Sequence, residues 1–140
     1  MTVNCLIIDD EPLAINVIKN HIKEIDNLNV IDTFNSAIDA LSFMKSNTVD
    51  LLFLDINMPK CTGFEFLERL SRLGFLETGN FKIFMLSSSV SLVDVNKANT
   101  HPLCSGYINK PLTIEKLHKV LNINDGCSKK ENVLNDDSCA

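Results

Sequence analysis

At 140 residues the chain is long enough for one domain with a real core and too short for two. It is 45% hydrophobic, yet no apolar stretch approaches the roughly 18 residues of a membrane span. The net charge is −5, with no basic run beyond Lys129-Lys130, which argues against direct binding of nucleic acid and against membrane insertion.

The first strand-like run covers about residues 4–9, with Cys5-Leu6-Ile7-Ile8 leading into Asp9 and Asp10. No basic segment or cleavage-site pattern precedes it, which suggests a cytoplasmic protein. Pro12 suits the first turn of a helix, whose apolar face is predicted from Ala14, Val17, Ile18, Ile22 and Ile25. A second strand is expected at 28–34. The helix after it is capped by Ser36 and turned inward on Ala37, Ala40, Leu41 and Met44.

Leu51-Leu52-Phe53-Leu54-Asp55 has no polar face, so it reads as a strand buried on both sides. A third helix follows, with Gly63, Phe66, Leu67 and Leu70 on one face. The fourth strand, 82–87, ends at Ser87. A short, weakly apolar helix is predicted near Leu92–Asn99, and Pro102 should stop it. The last strand, 106–109, runs into Lys110. The last helix begins after Thr113 and carries Ile114, Leu117, Val120 and Leu121. Strands alternating with helices predict repeated βαβ units and a parallel sheet.

From Asn124 the texture becomes polar, so residues 1–123 are expected to form the domain and 124–140 a disordered tail. Five cysteines, Cys5, Cys61, Cys104, Cys127 and Cys139, form no C-x-x-C pair, so neither a disulfide framework nor a thiolate metal centre is expected. Cys5 should pack in the first strand, and Cys61 is expected as an exposed thiol near the strand ends.

Four apolar strands end in Asp9-Asp10, Asp55, Ser87 and Lys110, and open α/β sheets gather their reactive groups at the carboxyl ends of strands. The constellation Ile7-Ile8-Asp9-Asp10-Glu11-Pro12, Phe53-Leu54-Asp55-Ile56-Asn57-Met58-Pro59 with Gly63, Leu86-Ser87-Ser88, and Tyr107-Ile108-Asn109-Lys110-Pro111 resembles the receiver domain of two-component response regulators. The likeness runs from about Asn4 to about Leu121. Each piece alone is common; all four in order, each after a strand, are specific.

The resemblance implies a flavodoxin-like α/β fold. It has five parallel strands in the order 2-1-3-4-5, (βα)5 in three layers. It implies Asp55 as phosphoacceptor, with the phosphoryl group coming from a histidine kinase or a histidine phosphotransfer protein. A carboxylate can act as nucleophile toward phosphorus. Asp9, Asp10 and Asp55 make an oxygen set suited to Mg²⁺, and the resemblance adds the backbone carbonyl of Asn57. Lys110 and the Ser87 hydroxyl would meet phosphoryl oxygens, with small Ser88 leaving room.

The resemblance also implies a cis Lys110–Pro111 peptide. It implies a switch in which Ser87 moves to the phosphoryl group and Tyr107 swings inward. The competing reading of Tyr107 is a strand aromatic at the surface. Signal would leave through the fourth helix, last strand and last helix toward a downstream target protein. Lys116, His118 and Lys119 would supply polar contacts there, and a phosphorylation-dependent dimer stays open.

Such a chain is not an enzyme, although it would catalyse its own phosphorylation and dephosphorylation. Two alternatives compete. A haloacid-dehalogenase-like phosphatase needs an acid two residues after its nucleophile, where Asn57 cannot donate a proton. The opening segment also resembles receivers fused to LytTR-type DNA-binding domains, but no such domain follows, so a stand-alone receiver is the expectation. His21, His101 and His118 lack the setting of a phosphodonor histidine.

Overall fold

The structure is a computed structural model that describes residues 2–74, 81–88, 91–123 and 131–132. Its strands are β1 (Val3–Ile8), β2 (Leu28–Phe34), β3 (Leu51–Asp55), β4 (Lys82–Ser87), β5 (Gly106–Asn109) and β6 (Glu131–Asn132). Its helices are α1 (Pro12–Lys23), α2 (Ala37–Ser46), α3 (Gly63–Arg72), α4 (Leu92–Thr100) and α5 (Ile114–Ile123).

All strand pairs are parallel, in the order β2-β1-β3-β4-β5-β6. The first five strands are therefore in the expected flavodoxin-like order. Every residue of β3 is buried, as its unbroken apolar run requires of a central strand. Successive side chains leave a strand on opposite faces, which divides the core in two. Leu6, Ile8, Leu52, Leu54, Ile83, Met85 and Tyr107 pack with residues of α2, α3 and α4. Cys5, Ile7, Leu51, Phe53, Phe84, Leu86 and Ile108 pack on the other face with Ile15, Ile18 and Ile22 of α1 and Leu117 and Val120 of α5.

The apolar face of α1 is rotated from the predicted one. Ile15, Ile18 and Ile22 are buried, whereas Val17 is 41% exposed and Ala14 only half-buried. Positions 15, 18 and 22 follow helical spacing as well as the predicted set does, so periodicity alone could not choose between them. Ser36 stands at the N-cap of α2 but makes no side-chain capping bond. The strong cap is Thr62 at α3: its hydroxyl accepts from the Glu65 N–H at 3.2 Å, and the Glu65 carboxylate accepts from the Thr62 N–H at 2.8 Å.

Helix α4 ends at Thr100, and His101 before Pro102 is extended, as a residue preceding proline favours. Of the polar segment 124–140, Glu131–Asn132 form the two-residue β6 beside Gly106 and Tyr107. The rest of that segment lies outside the described residues, as do Cys127 and Cys139.

Candidate functional site

Parallel order brings the carboxyl ends of β1, β3, β4 and β5 to one edge of the sheet, and the loops there are tied together by backbone. The Ile56 N–H donates to Leu86 O at 2.9 Å, and the Lys110 N–H donates to Ser87 O at 2.8 Å. Gly63 opens α3 against this edge. A Cβ on it would lie 2.8 Å from Asp55 O, closer than real Cβ contacts come, so the close approach requires glycine.

Asp9, Asp10 and Asp55 each turn an oxygen into this edge, and the three atoms lie within 4.8 Å of one another. Asp9 and Asp55 are buried and Asp10 half-buried. Lys110 Nζ sits among them, 2.8 Å from Asp9 Oδ2 and 3.1 Å from Asp55 Oδ1. Its third neighbour, Glu11 Oε1, is 3.7 Å away on a largely exposed side chain. Glu11 was not singled out from the sequence, although the run Asp9-Asp10-Glu11 carried the signal. Its N–H donates to Asp9 Oδ1 at 2.9 Å, which fixes the turn between β1 and α1.

Burial first, and then the Asp9 charge, push the Asp55 carboxyl up to about 6 against the opposing pull of Lys110. At neutral pH Asp55 is thus mostly ionised, yet more basic than an ordinary aspartate, as suits an oxygen nucleophile. For Lys110 burial works against the charged form, but hydrogen bonding to Asp9 and the charges of Asp55 and Asp9 outweigh it, so its pKa is raised.

The donors fit a hard divalent cation. Beyond its 2.8 Å contact with Lys110, the fully buried Asp9 Oδ2 has no further partner among the described residues, so it keeps a lone pair for a ligand. Three carboxylates against one ammonium leave a formal charge of −2 in the pocket (−3 + 1), before counting Glu11.

Ser87 is fully buried at the end of β4, and Ser88 is exposed. Asn57 lies exposed in the loop two residues beyond Asp55. The Lys110–Pro111 peptide is cis. Tyr107 is fully buried within the α2–α3–α4 side of the core, which corrects the surface-aromatic alternative. Burial raises its phenol pKa, and a hydrogen bond with the Ser87 side chain opposes the shift.

Two further expectations are corrected. Cys61 is buried rather than exposed, and burial raises its thiol pKa, so it lacks thiolate character. Lys116 is not a surface contact: it is 2% exposed, while His118 and Lys119 face outward.

A family model described as the response regulator receiver domain matches residues 5–122. The chain belongs to the response regulator receiver family. The receiver is a phosphoryl-accepting signalling module, and its family binds Mg²⁺ in an acidic pocket. Receivers of this family interact with histidine kinases and downstream effectors.

Among relatives, the sensory transduction protein LytR of Staphylococcus haemolyticus is 30% identical over 117 residues, which is 84% of this chain and 43% of that protein. The receiver spans less than half the length of the curated relatives it matches first. A two-component response regulator from Cytophaga hutchinsonii shares the fold with a TM-score of 0.79 at 23% identity, covering 87% of this chain and 96% of that one. The isolated receiver domain of RcsB from Salmonella enterica, solved with the phosphomimetic BeF3−, gives a TM-score of 0.79 at 18% identity, covering 94% of each chain. Among the described residues no helix is long and apolar enough to cross a membrane.

Proposed function

We propose that Asp55 accepts the phosphoryl group, from a histidine kinase or a histidine phosphotransfer protein, and that the receiver changes its partner-binding surface in response. The observation carrying this is the buried Asp55 carboxylate 3.1 Å from Lys110, with oxygens of Asp9 and Asp10 beside it.

An Asp55 carboxylate oxygen attacks phosphorus while the bond from phosphorus to the donor nitrogen breaks, and the electron pair leaves with the imidazole. Asp9, Asp10, Asp55 and the Asn57 carbonyl are the groups to hold Mg²⁺, which when bound would neutralise charge on a phosphoryl oxygen. Lys110, already inside the pocket, exchanges its contact with Asp55 for a second phosphoryl oxygen. The Ser87 hydroxyl donates to a third. Recruitment of Ser87 releases its bond to Tyr107, which links the pocket to β5 and the neighbouring helices.

The same groups support autocatalysed phosphorylation and dephosphorylation rather than turnover of an outside substrate. An apolar hollow of about 330 Å³ lined by Leu13, Val17, Pro111 and Leu112 adjoins Lys110 and suits the docking of a donor protein. This reading places the receiver in the cytoplasm, with a protein as its downstream target.

The test is incubation with acetyl phosphate and Mg²⁺, followed by intact-mass measurement. Wild type should gain one phosphoryl group and Asp55→Asn none. An unchanged gain in that variant, with no new site labelled, would overturn the assignment.

A further inference from the structure

Lys116 is a lysine only 2% exposed, and it takes part in none of the ion pairs found among the described residues. Its partners are two backbone carbonyls. Nζ donates to Asn109 O at 2.8 Å and to Pro111 O at 3.2 Å. Those carbonyls flank Lys110 on either side. A buried ammonium is costly unless its donors are satisfied, so a lysine in this position must contribute something an apolar residue would not.

The local sequence explains how it gets there. The Thr113 hydroxyl accepts the Lys116 N–H at 3.2 Å at the start of α5, so Lys116 sits on the first turn of the helix. Side chains in that turn point back toward the preceding loop. The loop carrying Lys110 is thus held from two directions, by the Lys110 N–H on Ser87 O and by the Lys116 ammonium on the two flanking carbonyls.

We propose that Lys116 is a positioning residue for phosphoryl transfer, fixing the backbone on both sides of Lys110 so that the Lys110 ammonium meets the phosphoryl group. This rests on the reading that Lys110 acts at Asp55. Lys116 touches none of the reacting atoms and acts through the loop alone.

Lys116→Met keeps the stem and removes the donors. With Mg²⁺ and acetyl phosphate, it should gain the phosphoryl group at least about tenfold more slowly than wild type, as sub-ångström misplacement of a charged group costs. Its complex with beryllofluoride should show displaced fluorine resonances. Val49→Ala, at the opposite end of β3, supplies a destabilised comparator, which should react within about twofold of wild type with unchanged resonances. Should circular dichroism show the methionine variant unfolded, Lys116→Gln carries the same comparison. Reaction of the Lys116 variant within twofold of wild type, or equal slowing in Val49→Ala, overturns the inference. Failure of wild type itself to react would instead overturn the assignment of Asp55, and this inference with it.

Discussion

The side chains of Ser87 and Tyr107 share a hydrogen bond, and Tyr107 is fully buried on the face of the sheet covered by α2, α3 and α4. The receiver has one tyrosine and no tryptophan, so tyrosinate absorbance, which lies beyond the phenylalanine bands, reports on Tyr107 alone. Burial raises the phenol above its usual value near 10 and Ser87 lowers it, so Ser87→Ala should push the phenol titration to still higher pH. Because the folded-state pKa is raised, the neutral phenol's contribution to stability is full below the unfolded value and is lost as pH climbs through the folded one. A titration unchanged in Ser87→Ala would show that the two side chains are not coupled in solution.

Asp55 makes stability depend on pH in a stated direction. Its pKa rises from 3.8 to about 6 on folding, so its stabilising contribution is full below pH 3.8 and lost as pH rises to about 6. In chelator at pH 7.5 the ionised carboxylate costs on the order of 2–3 kcal/mol even with Lys110 beside it. Asp55→Asn should therefore melt several degrees above wild type at pH 7.5, with the gap narrowing toward pH 4. Melting curves across that range check it, and a gap independent of pH would contradict it.

Asp10 should show the same repulsion from the metal side. It is the half-buried member of the cluster, the one most open to an entering cation. Asp10→Ala should raise the melting temperature of the metal-free protein and abolish the further rise that Mg²⁺ gives wild type. A full Mg²⁺-dependent rise in the variant would put the metal elsewhere.

Gly63→Ala tests the packing under Asp55. The new methyl would meet Asp55 O and Met85 Cε, each at 2.8 Å. Overpacking of this kind costs about 1–3 kcal/mol, and here the strain falls on the backbone that holds Asp55. Both the denaturation midpoint and the acetyl phosphate reaction should suffer. Wild-type reactivity at reduced stability would mean that α3 moves instead of β3.

The legible parts of the molecule were those with a one-dimensional signal. The run from Leu51 to Asp55, with no polar face, reads as a strand buried on both sides, and its bounds match. Lys110 and the three aspartates were found because each ends an apolar run. Burial of polar or small groups was not legible. Nothing in Ile114-Glu115-Lys116-Leu117 marks a lysine whose ammonium folds back under a loop, since a lysine there reads equally well as a solvated charge. Cys61 follows an exposed Pro-Lys pair yet turns inward. The Thr62–Glu65 cap is written in the sequence as a threonine three residues before a glutamate.

The placement of β3 gives the domain a fixed end and a yielding one. β3 has two strands on either side among the first five, all its residues are buried, and the chain just beyond it is pinned by Ile56 to Leu86 and by Gly63 to Ile56. β5 is four residues long and, among the described residues, pairs on its outer side with the two residues of β6. Amides of β3 should therefore exchange only on global unfolding, whereas those of β5 open sooner. Asp55 thus stands on an anvil, and a load applied there passes through β4 to the short strand beside it, the one that carries Tyr107.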